Sequence, residues 1–234
     1  MFIRPCILAL GLAASGAFGQ VLMNPSFETG APIMTTGAAP VGAWGWDSCA
    51  FVGPSMGIFP AHGNRMLRFL ATTPGGPSAD TVSRVAQVVD FTPMTSSINA
   101  GLVTVTAGMM FNRRQTGPPF QADTLFRMHV AAYSTPTVIQ PTNFPSGALA
   151  LSTGTLISDA NPATWQPISV SLLLPAGTTH VLVAIEAVEN VFNNFTGSEF
   201  SGHFADNGRM IYTPAPGTLL LAGAPLLLMA RRRR

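Results

Sequence analysis

The chain has 234 residues, 12 basic residues that are all arginine, 10 acidic residues, and a formal net charge of +2. Its length and its 47% of hydrophobic residues are enough for one well-buried domain and exclude a wholly disordered chain. Five of the positive charges sit at the ends, at Arg4 and Arg231 to Arg234; residues 20–213 hold seven arginines against ten acids, a balance of −3, which excludes a nucleic-acid footprint.

In chain order, Arg4 is followed by an apolar run, Cys6 to Leu12, and then by small residues to Gly19. Ala17 and Gly19 suit the −3 and −1 positions of a signal-peptide cleavage site, so residues 1–19 read as an export signal and the mature chain starts at Gln20. Cys49 is then the only cysteine left, so no internal disulfide is available. Four stretches alternate apolar and polar residues with the period of a strand: Val103 to Phe111, Phe126 to Ala132, Ile168 to Leu174, and Val181 to Ala187. Proline and glycine clusters punctuate them at Thr73 to Pro77, Thr116 to Pro119, Pro141 to Gly147 and Pro175 to Gly177. Strands at this spacing, with no amphipathic helix and no internal repeat, predict an all-β domain over 20–213, built as a β-sandwich.

The tail, 214–234, has three parts. Pro214-Ala215-Pro216-Gly217 cannot hold regular structure. Thr218 to Ala230 is apolar or small, and Arg231 to Arg234 follow. From Pro216 to Ala230 a helix would span roughly 22 Å, short of the bilayer core of about 30 Å. The expectation is a short apolar helix that anchors transiently in the inner membrane, with the arginines cytoplasmic, and is later cut off. This order of tripeptide, apolar helix and arginine cluster resembles the PEP-CTERM sorting signal of Gram-negative bacteria, with Pro214-Ala215-Pro216 lacking the family's glutamate. The resemblance implies recognition at Pro214, Pro216 and Arg231 by an exosortase-type enzyme, cleavage near the tripeptide, and export to the cell surface or extracellular polymer.

A second resemblance spans residues 21–212. Asn24-Pro25-Ser26-Phe27-Glu28 looks like the opening of the galactose-binding-like jelly rolls, especially secreted carbohydrate-binding modules. Gly45-Trp46, the segment His62 to Arg68, the Gln87 strand and the closing His203-Phe204-Ala205-Asp206-Asn207 follow in the family's order. The resemblance implies a jelly roll in which Glu28 and Asp206 ligate one structural calcium together with backbone carbonyls. Calcium takes six to eight oxygens, so carboxylates with carbonyls suit it.

Opposite the apolar face of the strand Thr124 to Tyr133 stand Arg127, His129 and Tyr133, with Asn112, Arg113 and Arg114 ending the preceding strand. Arginine and tyrosine hydrogen-bond sugar hydroxyls, so this face is expected to be solvent-open, either as a ligand groove or as an ordinary solvated face; Trp46, with Trp44, reads separately as a sugar platform or as core packing. Trp44 and Trp46, two residues apart, are expected to share a face, and Trp165 to lie in the core. The four histidines lack zinc-ligand spacing, and no nucleophile or metalloprotease motif is present. Glu186 and Glu189 are expected to point to opposite faces and to make a poor acid/base pair. The expectation is a non-catalytic glycan-binding or structural module outside the cell; the alternative is a glycan-active hydrolase or lyase on the same sandwich.

Overall fold

The computed structural model describes residues 21–35, 37–70, 81–114, 124–139, 144–159, 161–189 and 202–214. The predicted signal peptide and the tail beyond Pro214, with Pro216 and Arg231, lie outside the described residues, as do the clusters Thr73 to Pro77 and Thr116 to Pro119. Among the described residues no helix is long and apolar enough to cross a membrane.

The described chain forms two sheets packed face to face. The first has six strands in the order β1-β2-β5-β10-β7-β8 and the second five in the order β3-β4-β11-β6-β9. β1 is Ile33–Met34, β2 Gly45–Trp46, β3 Cys49–Val52, β4 Met66–Phe69, β5 Thr81–Asp90 and β6 Val103–Arg113. β7 is Leu125–Tyr133, β8 Ala150–Ile157, β9 Gln166–Leu173, β10 His180–Glu189 and β11 His203–Pro214. One short helix, Thr95–Asn99, crosses between β5 and β6. The four strands expected from period-two alternation are β6, β7, β9 and β10, and the jelly-roll β-sandwich stands as predicted.

The core is filled by the inward faces of both sheets. Val105, Met109 and Phe111 of β6 and Ile168 and Val170 of β9 meet Phe126, Met128 and Val130 of β7 and Val183 and Ile185 of β10. Phe111 and Phe126, both fully buried, stack across the two layers with centroids 4.8 Å apart. Truncating either to alanine should cost about 3–5 kcal/mol, transfer and cavity together.

The N-terminal segment is stitched to the last strand. Val21 N donates to Met210 O and Gly208 N to Pro25 O. Buried Gln87 holds the same segment with both ends of its amide: Met23 N donates to its Oε1 at 2.8 Å and its Nε2 donates to Met23 O at 2.9 Å. A register shift in β11 between Asp206 and Arg209 makes room for this docking; Asn207 there has φ 50°. At Gly208 a Cβ would lie 2.7 Å from Pro25 O, so only glycine admits the close approach.

Candidate functional site

The outer face of the six-stranded sheet carries a second apolar cluster. Trp46, Ala86, Val88, Ala131, Tyr133, Leu182 and Ala184 belong to it, roofed by Ala39, Ile139, Phe144 and Ala148. The central strands β5, β7 and β10 are thus covered on both faces, which is why Ala86, Val88, Ala131, Leu182 and Ala184 stand at outward positions where a solvated strand would carry polar residues.

One ladder row crosses this face. Thr155 of β8 stands opposite Arg127, Arg127 opposite Glu186, and Glu186 opposite Arg84. Glu186 is therefore flanked by an arginine on each side, and its side chain is only 2% exposed. Arg84 Nε donates to Glu186 Oε1, and Arg127 Nη1 lies 3.5 Å from Oε2. His129 brings Nε2 to 3.4 Å from Oε1, while its Nδ1 pairs with Thr153 Oγ1 at 2.9 Å. Burial by itself would push the Glu186 carboxyl up; the hydrogen bond with His129 and the charge of Arg84 outweigh it and hold it at about 2. Arg84 is anchored in turn, its backbone N donating to Asp47 Oδ2 at 2.7 Å. Burial raises the Asp47 carboxyl, against the hydrogen bond and charge of Arg84.

Aromatic rings surround the row. The Arg84 guanidinium lies 4.9 Å from the Phe144 centroid and 5.9 Å from the Trp46 ring. Phe144 also meets His129 edge-on at 5.3 Å and Trp46 at 5.9 Å. Trp46 Nε1 and the Tyr133 hydroxyl are buried on this face and have no hydrogen-bond partner among the described residues. Burial pushes the Tyr133 hydroxyl up to about 12, with Arg84 pulling the other way, so it stays a neutral donor. A cleft of about 440 Å³, lined by Met34, Thr35, Trp46 and Ser48, opens beside Trp46.

The predicted register of β7 holds: Phe126, Met128 and Val130 face the core, and Arg127, His129 and Tyr133 the other way. The expectation of an open face does not hold. His129 is 8% exposed, Trp46 2% and Tyr133 0%, because Ile139, Phe144 and their neighbours lie over them. Of the four sequence-predicted ligand residues only Arg127 reaches solvent, with its side chain 37% exposed. Asn112 and Arg113 lie in the other sheet and are buried, Asn112 Nδ2 donating to Pro162 O and Arg113 Nε to Ser158 Oγ. Trp44 and Trp46 do not share a face: Trp46 has φ 121°, and Trp44 packs in the main core 5.3 Å from Phe27. Trp165 is partly buried in a satellite cluster with Ile58, Met66 and Phe204. Sequence reasoning missed Arg84, Glu186 and Phe144 as site residues. The available signal was a lone acid inside Val181 to Val188, an otherwise apolar strand.

The second sequence-predicted pair is brought together. Glu28 Oε1 accepts from Asn64 N at 2.9 Å and Arg65 N at 3.0 Å, and Asp206 Oδ2 accepts from His62 N at 2.9 Å. Both carboxylates therefore grip the loop between β3 and β4. Gly63 in that loop has φ +69°, and a Cβ there would meet Glu28 Oε1 at 2.3 Å. Asp206 is fully buried. Burial raises its carboxyl to about 6 against the hydrogen bonds of His62, Asn207 and Ala61, and the charge of Glu28 adds to the rise. Among the described residues no cationic side chain forms a salt bridge with either acid, and the Arg65 guanidinium donates to Gly30 O and Phe51 O instead. Both carboxylates are met by backbone N–H donors, and among the described residues no group of three or more His, Cys, Asp or Glu is placed to hold a metal ion.

The fold and these two sites define a β-sandwich with one ionic row roofed by aromatic rings and one acid pair clasping a loop. No protein-family model and no curated protein sequence matches the chain. Among solved structures, it is similar to a cyclase from Fischerella sp. TAU, with TM-score 0.50 and 15% identity over 86% of this chain and 99% of that one. It is also similar to the CBM22-1 xylan-binding domain of Paenibacillus barcinonensis Xyn10C, with TM-score 0.40 and 11% identity over 86% of this chain and 96% of that one. A family 16 carbohydrate-binding module gives TM-score 0.36 and 10% identity over 69% of this chain and 84% of that one. At 15% identity the likeness to the cyclase is one of fold alone.

Proposed function

We propose that the chain is a non-catalytic glycan-binding or structural module, exported and sorted to the cell surface or extracellular matrix by an exosortase-type enzyme. The observation that carries the binding reading is the row Arg127–Glu186–Arg84 beneath Phe144, with Trp46 Nε1 and the Tyr133 hydroxyl buried beside it and without partners among the described residues. Buried polar groups left unpaired are costly, so a ligand that displaces the Phe144 roof would gain by supplying hydroxyl partners to them. Phe144, half-buried at the top of the roof, offers an apolar ring face of the kind a pyranose stacks on, while Trp46 is covered beneath it. Arg127, the most exposed member of the row, is the first donor an extracellular polysaccharide would meet.

The same row argues for binding over the hydrolase or lyase alternative. A carboxylate held at about 2 between two arginines is a poor proton donor near neutrality. Calcium belongs to this reading as a structural ion: Glu28 and Asp206 would hold it, and it would neutralise their mutual repulsion where the first and last parts of the domain meet.

The test is binding of the full chain to a panel of soluble and insoluble polysaccharides, with released sugar assayed in parallel. Retention of the wild type, at least tenfold weaker retention of Arg127→Ala with its melting temperature kept, and no released sugar are expected. Sugar release by the wild type but not by Glu186→Gln would replace this reading with the enzymatic one. Folded protein that is retained by no glycan would leave only the structural role.

A further inference from the structure

β8 is the outermost strand of the six-stranded sheet among the described residues, and it lacks the usual protections of an edge. Exposed edges are ordinarily blunted by charge, proline or a bulge. β8, Ala150–Ile157, has none of these, and Asp159 is the only acidic or arginine residue between Arg127 and Glu186. β9, the edge of the other sheet, carries Pro167. Leu151 and Ile157 of β8 are 41% and 58% exposed.

Which backbone groups face outward follows from the ladder. Ser158 N donates to Thr124 O at 3.1 Å, continuing the register in which Leu125 pairs with Ile157. In an antiparallel pair the hydrogen-bonded positions alternate. The even-numbered residues of β8 therefore bond to β7, and Leu151, Thr153, Thr155 and Ile157 turn their N–H and C=O to the open edge. These four are also the residues whose side chains are exposed on the outer face.

The sequence of that edge is self-complementary about Gly154. A two-fold axis normal to the sheet and passing midway between the Gly154 residues of two copies sets Leu151 opposite Ile157 of the second copy and Thr153 opposite its Thr155, then the reverse. Every apolar side chain meets an apolar one and every hydroxyl a hydroxyl, on the same face, and no charge opposes another. Each outward residue would exchange two bonds with its counterpart, about eight backbone hydrogen bonds across the join. Gly154 is required by the inner face, where a Cβ would lie 2.7 Å from Ile168 Cγ2 of β9.

We propose that β8 is a self-association edge, through which two copies pair antiparallel about Gly154 into one continuous sheet. The join sets the Arg127–Glu186–Arg84 rows of both copies on the same side of that sheet. The occupant is a second copy because the pattern is its own complement.

Sedimentation velocity of the full chain over a concentration series tests this, with circular dichroism to confirm folding. The wild type should be a monomer–dimer system. Leu151→Lys, at an exposed position, should weaken dimerisation at least tenfold, and Ile157→Lys should do the same independently. Leu151→Lys combined with Ile157→Glu should restore it, because each lysine then faces a glutamate of the other copy. A wild type that is monomeric throughout would overturn the proposal. So would association that neither lysine weakens, which would place it elsewhere, for instance in the apolar tail.

Discussion

Asp206 gives the fold an unusual dependence on pH. Its folded carboxyl stands at about 6 against 3.8 for the free group, so the folded state binds the proton more tightly, by roughly 3 kcal/mol when the window is crossed completely. The sign is opposite to that of a salt-bridged acid: acidification through pH 6 stabilises, and the gain is complete only below about pH 4. Between pH 7 and pH 5 the gain should be about 1.3 kcal/mol. Glu186 works the other way, being held at about 2 against 4.5, so its stabilisation is lost as pH falls below about 4.5. The two windows barely overlap, and metal-free protein should be most stable between about pH 4 and 5. Urea unfolding at pH 7, 6 and 5 in chelator, for the wild type and Asp206→Asn, reads the effect directly. The wild-type midpoint should rise as pH falls, while the variant should lose the part due to Asp206 and keep the part due to Asp47, whose carboxyl burial also raises. A wild type that loses stability from pH 7 to 5, or a variant with the same slope, would refute the reasoning.

Calcium at 100 times its dissociation constant should stabilise the folded chain by about 2.7 kcal/mol and raise the melting temperature. Magnesium, which dehydrates reluctantly, should do so much less, and Asp206→Ala should abolish the difference; equal melting in calcium and chelator would remove the ion from the account. Gly63→Ala forces a side chain onto a φ of +69° and a Cβ to within 2.3 Å of Glu28 Oε1, so it should cost about 2 kcal/mol in urea unfolding, and a neutral result would mean the Glu28 clasp is not tight. For the sorting signal, intact-mass measurement of surface-extracted protein should find a chain lacking Leu219 to Arg234; a mass that includes the arginines would end that proposal.

The parts of the fold legible in the sequence were those where one face meets the core and the other a different environment. β6 and β9 alternate cleanly, and the register of β7 followed from Phe126, Met128 and Val130. What escaped was the second layer on the outer face. Period-two alternation names a buried face, but it does not say that the opposite face is covered too, and Ala131, Ala184 and Leu182 were compatible with either. Reading Val181 to Val188 as apolar on both faces would have marked Glu186 as a buried acid in need of partners, and hence Arg84 and Arg127. Phe144 was not legible, because it comes from a connection whose path over the sheet no local pattern encodes. Glu28 and Asp206 were legible as a pair only through the resemblance of the opening and closing motifs to the galactose-binding-like jelly rolls; the loop they clasp was not.

β11 lies in the middle of its sheet, hydrogen-bonded to β4 on one side and β6 on the other, although it is the last strand of the described chain. A ribosome delivers it after every neighbour it will join. Until then β4 and β6 each wait with one side unsatisfied, and Val21 has no Met210 to bond. Loss of residues from this end would therefore remove the centre of a sheet and not its margin, and a nascent chain held unfolded until release would avoid exposing two half-built edges. The pairings that close the domain are among the longest in sequence, so completion should be slow and late, set by the arrival of one strand.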